Sequence, residues 1–172
     1  MDAQIYGYGT IKLAVDVDSL KGKVSGPGQL LLTGHSDSAD LTSVGKGYIS
    51  CDVGQSSVKK KKEKKKPRGQ QEPATRHVKA SVSGSGAIDL SGAKVDGLRV
   101  RVNGAGTVNA ESMTAAHVDA KVTGSGEATV TVAGSLKAAV AGSGTIAYRV
   151  DGKKEDVTVE SNVSGSGSVV EA

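Results

Sequence analysis

The chain has 172 residues, a formal net charge of +4, 24 glycines and four tyrosines, and it contains neither phenylalanine nor tryptophan. A core without large aromatic rings has to be built from Val, Ala, Leu and Ile, which suit a narrow interior filled by stacked small side chains. A single cysteine and three prolines exclude a disulfide scaffold and a collagen-like chain.

Eight glycine pairs of the form G-x-G follow one another along the chain, and we interpret each pair as a corner. They are Gly7 and Gly9, Gly26 and Gly28, Gly45 and Gly47, Gly84 and Gly86, Gly104 and Gly106, Gly124 and Gly126, Gly142 and Gly144, and Gly165 and Gly167. Their first glycines are separated by 19, 19, 39, 20, 20, 18 and 23 residues. Because a lysine-rich run falls within the step of 39, we interpret that step as one turn plus an insertion of about 20 residues.

Apolar residues occupy alternate positions on both sides of these corners. Residues 78–82 and 118–122 place Val, Ala and Val at every second position before a pair, and residues 88–90 and 108–110 resume the alternation after it. A period of two predicts β-strands with one inward and one solvated face. No window has the spacing of apolar residues that is typical of an amphipathic helix.

The doubled glycine has a physical explanation if successive turns stack on one another. A sharp bend between two strands needs either a positive φ or a very close approach of backbone to backbone. Turns stacked about 4.8 Å apart place each corner on the corner below, where a Cβ atom would strike the neighbouring backbone. An antiparallel meander would instead need hairpin turns every 8–12 residues or so. The sequence therefore predicts an all-β parallel β-helix, or solenoid, of about eight coils of about 20 residues. We expect it to form a single domain over residues 1–172.

One strongly basic segment interrupts the repeat. Its basic residues are Lys59, Lys60, Lys61, Lys62, Lys64, Lys65, Lys66 and Arg68. Without residues 59–68 the chain keeps 22 − 8 = 14 basic and 18 − 1 = 17 acidic residues, a net charge of −3. We expect a disordered insertion at about 55–75. This segment is the predicted contact for a polyanion or a protein partner, and nucleic acid would be bound only here and without sequence preference.

The remaining motifs do not predict a cofactor or a metal. The G-x-G pairs are followed by strands, whereas a dinucleotide fingerprint opens a helix. We interpret His35, His77 and His117 as lying at unrelated phases of the repeat, which argues against a shared metal site. Cys51 alternates with Ile49 and is predicted to be a buried small hydrophobe.

Catalysis is not predicted either. Serines at the corners are explained by turn preference rather than by nucleophilic chemistry. Polysaccharide-cleaving solenoids cluster carboxylates on one face, but Asp89, Asp96, Asp119 and Glu127 do not fall in one column of this repeat.

Residues 82–92 read Val-Ser-Gly-Ser-Gly-Ala-Ile-Asp-Leu-Ser-Gly. This unit and its counterparts resemble the head GIN domain family, the putative auto-transporter adhesins, strongly over 77–170 and more weakly over 1–54. The resemblance implies a right-handed parallel β-helix, a cell-envelope or surface location and no catalytic residues. The lysine-rich insertion departs from the family pattern.

Together these observations predict a non-enzymatic, adhesin-like structural module without cofactors. It would present flat solenoid surfaces to a protein or surface partner and would form oligomers through its ends or faces. The alternative is an intracellular scaffold or polyanion-binding protein that uses the basic segment. No membrane span is predicted. The N-terminus lacks the regions of a secretory signal, so the sequence leaves open both the compartment and whether a leader has been removed.

Overall fold

The computed structural model describes residues 1–53, 76–92, 94–152 and 157–172. The regular elements in these ranges are all β-strands, and every pairing between them is parallel. The strands are β1 (Asp2–Tyr6), β2 (Thr10–Ser25), β3 (Gln29–Gly45), β4 (Tyr48–Val53), β5 (His77–Gly84), β6 (Ala87–Gly92), β7 (Val95–Gly104), β8 (Thr107–Gly124), β9 (Glu127–Gly142), β10 (Thr145–Val150), β11 (Thr158–Gly165) and β12 (Ser168–Glu171). The predicted all-β parallel solenoid is confirmed.

Two walls of stacked strand segments enclose the core. Wall 1 contains the segments that precede each glycine corner: β1, the second halves of β2 and β3, β5, β7, the second halves of β8 and β9, and β11. Wall 2 contains the segments that follow a corner: the first halves of β2 and β3, β4, β6, the first halves of β8 and β9, β10 and β12. Because the four long strands bend from wall 2 into wall 1, the ladder is one continuous 12-stranded sheet.

The solenoid has about seven turns, slightly fewer than the predicted eight. The difference arises because eight corners delimit only seven complete turns. The chain enters before the first corner with β1 and ends after the last corner with β12, so each end contributes part of a turn.

At most corners the glycines are stacked too tightly on the adjacent turn to carry a side chain. Gly124 has φ of +109°, and a Cβ placed on it would lie 2.6 Å from the carbonyl oxygen of Gly104 on the turn below. That oxygen accepts a hydrogen bond of 3.0 Å from the amide of Ser125. The backbone of one corner therefore contacts the backbone of the corner on the adjacent turn. Gly124 must adopt a left-handed conformation there and has no room for a Cβ.

The two glycines of a corner are not equivalent, and each meets one of the two requirements expected from the sequence. Positive φ occurs at the first glycine of every pair. Among the second glycines only Gly9 has it, and the others do not: Gly28, Gly47, Gly86, Gly106, Gly126, Gly144 and Gly167. A Cβ on Gly126 would lie 2.6 Å from the carbonyl oxygen of Gly106 and would also collide with Val102. The same oxygen accepts a hydrogen bond of 3.0 Å from the amide of Glu127. The first glycine therefore turns the chain, whereas the second only provides room for the turn below.

The core consists of columns of small aliphatic side chains, as predicted. Val82, Val102, Val122 and Val140 are paired in successive turns of wall 1 and are 0%, 1%, 0% and 2% exposed. Each such valine contributes about 2 kcal/mol through the apolar surface that it removes from water. Turn length varies without breaking these columns, because a register shift between β8 and β9 absorbs the shorter 18-residue turn.

The ladder continues on both sides of the lysine-rich insertion. β3 pairs with β4 on wall 2 and with β5 on wall 1, and β4 then pairs with β6. The predicted insertion at 55–75, including Lys59–Arg68, lies outside the described residues. Its two ends meet the solenoid at Val53 and Arg76, on the side away from the glycine corners.

Candidate binding surface

The outward positions of wall 1 form straight columns, because parallel in-register strands place equivalent side chains about 4.8 Å apart. One of these, the charged column, runs Asp2, Lys21, Asp40, Lys79, Arg99, Asp119, Lys137 and Glu160. The sign of the charge alternates from turn to turn along the whole column, with one exception. Lys79 and Arg99 are two cations in succession.

Two ion pairs in this column are formed between neighbouring turns. Arg99 Nε lies 3.1 Å from Asp119 Oδ2, and Lys137 Nζ lies 3.3 Å from Glu160 Oε2. All four side chains are at least half exposed, so each pair contributes only about 0–1 kcal/mol to stability. Lys79 has no ion-pair partner within 4 Å among the described residues. The column therefore defines a charge pattern on the surface more than it stabilises the fold.

A second column, the histidine column, lies next to the first and contains His77, Gly97, His117 and Ser135 in successive turns. Gly97 provides a gap into which the His77 ring extends, since a Cβ on Gly97 would collide with His77 Nδ1. His117 Nδ1 lies 2.8 Å from Ser135 Oγ. The prediction that the histidines occupy unrelated phases is wrong for His77 and His117, which share one column two turns apart.

Between the two columns lies a groove of about 500 Å³. It is lined by the residues of the histidine column, by Lys79, Arg99, Asp119 and Lys137 of the charged column, and by Val78, Leu98 and Val118. A second depression of about 350 Å³ shares Asp119 and Lys137 with it and continues to Glu160, Ser161 and Asn162 on β11. The two together cross five turns, a length of roughly 19 Å between the first and the last strand.

The residues with displaced pKa values lie away from this groove. Burial, assisted by the nearby Asp52 carboxylate, raises the pKa of the Cys51 thiol to about 12. Cys51 is 1% exposed, so the predicted buried hydrophobe is confirmed. The hydrogen bond that Tyr48 donates to Asp89 raises the pKa of the tyrosine. Hydrogen bonds from Thr114 and Lys94 lower the pKa of Asp151, a surface carboxyl.

The acidic residues considered for catalysis are dispersed. Asp89 and Glu127 lie in different columns of wall 2, whereas Asp119 lies on wall 1. Asp96 accepts a hydrogen bond of 2.8 Å from the backbone amide of Arg76 and so supports the start of β5. Over residues 1–53, 76–92, 94–152 and 157–172, no group of three or more His, Cys, Asp or Glu side chains has the arrangement of a metal site. The same ranges contain no helix long and apolar enough to cross a membrane.

The groove itself was not predicted from the sequence, although a signal for it exists. His77, Gly97 and His117 each stand seven positions before the first glycine of a corner, at Gly84, Gly104 and Gly124. Residues that stand the same number of positions before the first glycine of their corner therefore lie in the same column.

The comparisons with known proteins agree with this architecture. The family model of the putative auto-transporter adhesin head GIN domain matches residues 70–152, which confirms the predicted resemblance and includes most of the groove. A search of curated proteins gave no significant match.

A solved structure also resembles the chain. It is the crystal structure of a putative adhesin from Parabacteroides distasonis, which aligns with 99% of this chain at a TM-score of 0.74 and 20% sequence identity. The chain spans 63% of the length of that protein. At this identity the likeness establishes a shared fold.

Proposed function

We propose that this chain, whose residues 70–152 match the head GIN domain family, is a non-enzymatic adhesin-like module that binds a protein or surface partner through the outer face of wall 1. The adhesin-like character has the support of the family and of the structural neighbour. The choice of wall 1 has a separate basis, which is the groove between its two outward columns.

A stacked wall suits this role because its side chains are held in place before a partner arrives. Each outward residue of wall 1 alternates with a buried one, such as Lys121 with Val122, so the backbone beneath the surface is anchored by the core. A surface that is ordered in advance loses little conformational entropy on binding. A long binding face with many modest contacts is also what a module needs if it acts on extended surfaces.

The contact between His117 and Ser135 is the arrangement most similar to catalytic machinery, and its surroundings favour a binding role. A serine nucleophile needs donors that stabilise the developing oxyanion, and these are commonly free backbone N–H groups. Ser135 begins the wall 1 part of β9, which is paired with β8 on one side and with β11 on the other. Ladder hydrogen bonds already occupy the backbone amides there.

The proposal is tested by masking one wall at a time. Arg101→Cys on wall 1 and Thr129→Cys on wall 2 place an accessible thiol on opposite faces, and each is coupled to a polyethylene glycol maleimide. Fluorescent protein is then incubated with intact cells and immobilised cell-surface extracts and is measured by flow cytometry or surface fluorescence. We expect masking of wall 1 to remove binding and masking of wall 2 to preserve it.

Two results would contradict the proposal. Equal binding by the two masked proteins would reject wall 1 as the contact. Release of reducing ends from polysaccharides, or hydrolysis of p-nitrophenyl esters, that disappears in a Ser135→Ala variant would reject the non-enzymatic role.

The lysine-rich segment supports a second candidate, an intracellular scaffold or polyanion-binding protein. Eight of the ten residues in 59–68 are basic, which makes this the strongest concentration of charge in the sequence. Binding of heparin or duplex DNA that is lost on deletion of 59–68, and is insensitive to masking of wall 1, would favour this candidate. Such binding should weaken steeply with salt.

Self-association through the ends remains a prediction. Val159 and Val163 of β11 occupy inward positions and are 38% and 42% exposed, so they offer an apolar surface to a second copy. Sedimentation equilibrium of the wild type and of a Val159→Ser/Val163→Ser variant checks this prediction. A wild-type protein that stays monomeric at high concentration would contradict it.

A further inference from the structure

The alternating charges of the charged column are interrupted at one place, and that place borders the groove. Lys79 and Arg99 are paired in register on neighbouring strands, and like charges in that relation repel each other. Arg99 is partly compensated by Asp119 on the next turn, with 3.1 Å between Nε and Oδ2. Lys79 has no comparable partner among the described residues. An anionic group above these two side chains would relieve the repulsion and be bound by both cations.

The third cation of the groove, Lys137, is compensated by Glu160 at 3.3 Å, and the rest of the groove offers hydrogen-bonding groups and carbon surfaces. His117 and Ser135 can exchange their mutual hydrogen bond of 2.8 Å for bonds to hydroxyl groups of a ligand. The Asp119 carboxylate accepts hydrogen bonds from hydroxyls. The imidazole of His77 covers Gly97, and the aliphatic stems of Lys79 and Arg99 present CH₂ groups beside it.

From this combination we infer that the groove binds an acidic oligosaccharide, a sugar chain that carries carboxylate or sulfate groups. One acid group would lie between Lys79 and Arg99, and sugar hydroxyls would meet His117, Asp119 and Ser135. The second depression, which contains Ser161 and Asn162, extends the groove for further sugar rings. The inference rests on the proposed binding function of wall 1 and names the chemical class of its partner.

Other anions fit the groove less well because it also contains negative charge. Asp119 lines both depressions and Glu160 lines the second. A nucleic acid strand or a run of acidic side chains places a charge at every unit and would be repelled at these two carboxylates. A sugar chain places its acid groups at intervals, and the hydroxyls between them can donate hydrogen bonds to both carboxylates. The mixture of charges therefore favours a glycan over a polyanion of uniform charge.

The test compares two matched pairs of substitutions on the same wall. Lys79→Gln/Arg99→Gln removes the two adjacent cations of the groove and leaves Lys137 in place, and Arg101→Gln/Lys121→Gln removes one arginine and one lysine that do not line it. All proteins also carry serine in place of the basic residues of 59–68, so that this segment cannot bind the probes. Equal circular dichroism spectra and melting temperatures of the two variants establish that both are folded.

Four probes distinguish the ligand chemistry by isothermal titration calorimetry. They are a hyaluronan tetrasaccharide with carboxylates only, a chondroitin sulfate tetrasaccharide with carboxylates and sulfates, neutral chitotetraose, and a tetraglutamate peptide. We expect one or both acidic sugars to bind the parent and the off-groove variant alike. The groove variant should bind them about tenfold more weakly or worse, since loss of a charge-assisted contact typically costs at least that factor.

Several results would overturn the inference. They are equal affinity of the groove and off-groove variants, equal binding of chitotetraose, binding of tetraglutamate as tight as that of the acidic sugars, or no binding of either acidic sugar. If the protein still attaches to cell surfaces through wall 1 in the masking experiment, these results reject the glycan while the proposed function stands. The variant Gly97→Val gives an independent check. Its larger side chain would fill part of the groove and should reduce binding of the acidic sugar without removing any charge.

Discussion

The substitution Val122→Asp tests whether the interior of the solenoid is as narrow and dry as its columns indicate. Val122 is fully buried between Val102 and Val140 of the adjacent turns, and the buried polar side chains of the described residues, which are Ser36, Ser43 and Thr131, carry no positive charge that could pair with a carboxylate. Its neighbour Thr123 points outward and is exposed. Thr123→Asp therefore adds the same charge one residue away on the same strand and serves as the matched control.

The expected cost can be worked out from these surroundings. Removing the buried valine forfeits about 2 kcal/mol of burial. Keeping an aspartic acid with an ordinary pKa near 3.9 neutral at pH 7 costs about 4 kcal/mol, at about 1.36 kcal/mol per pKa unit. An unpaired neutral carboxyl adds about 1–3 kcal/mol. The total of about 7–9 kcal/mol is comparable to the whole stability of a typical domain, about 5–15 kcal/mol.

We expect Val122→Asp to be largely unfolded at pH 7, while Thr123→Asp melts within a few degrees of the wild type. The difference should shrink at pH 4. Burial would raise the folded-state pKa of the introduced carboxyl above its unfolded value, so the ionisation cost vanishes below about pH 3.9 and grows as the pH rises. Thermal melting followed by circular dichroism at both pH values measures this. Equal melting temperatures of the two variants at pH 7 would refute the inward assignment of Val122.

Three further predictions concern the corners and two side chains whose pKa values are raised, Cys51 and Tyr48. Gly7→Ala and Gly124→Ala both force alanine into positive φ, at a cost of about 1–2 kcal/mol, but a Cβ at Gly7 meets nothing within 4 Å. Urea unfolding should therefore show a clearly larger loss for Gly124→Ala, and equal losses would contradict the stacked corner. Cys51 should not react with Ellman's reagent at pH 8 until the protein is denatured, because its pKa is about 12 and its side chain is buried. Rapid labelling of the native protein would be inconsistent with this prediction. Asp89→Asn should lower the pKa of Tyr48, as measured by a tyrosinate absorbance titration. In the wild type, the raised pKa means that Tyr48 stabilises the native state at pH values below the pKa of the unfolded phenol. This stabilisation is lost as the pH rises through the pKa of the folded protein.

The sequence was sufficient to predict the architecture because the features that define it are local. Alternation such as Val118, Ala120, Val122 specifies a strand and its inward face. A G-x-G pair specifies a corner, and similar spacings between corners imply stacking. The pair does not reveal which glycine turns the chain, because Gly124 and Gly126 differ only in φ and in which atoms of the preceding turn a Cβ would strike. The number of complete turns was overestimated by one because corners were counted instead of the intervals between them.

The groove depends on which residues meet across turns, and a fixed period does not give that register. A period of 20 applied to His117 leads to Lys137, but the turn that follows is only 18 residues long and brings Ser135 beneath His117 instead. The position of a residue relative to its corner decides its column. His77 and His117, by contrast, are 40 residues apart, which is two turns of 20 residues, so their common column could be read from the sequence and the prediction of unrelated phases missed it.

The turns stack in register from β1 to β12, and the charged column and the groove exist only because they do. Lys23 and Asn162 occupy one outward column of wall 1, six turns apart. The distance between spin labels at Lys23→Cys and Asn162→Cys, in a Cys51→Ala background, can be measured by double electron–electron resonance. A narrow distribution centred at roughly 29 Å, six strand spacings, is the predicted result. A broad distribution, or a distance far from this value, would contradict the stacked solenoid.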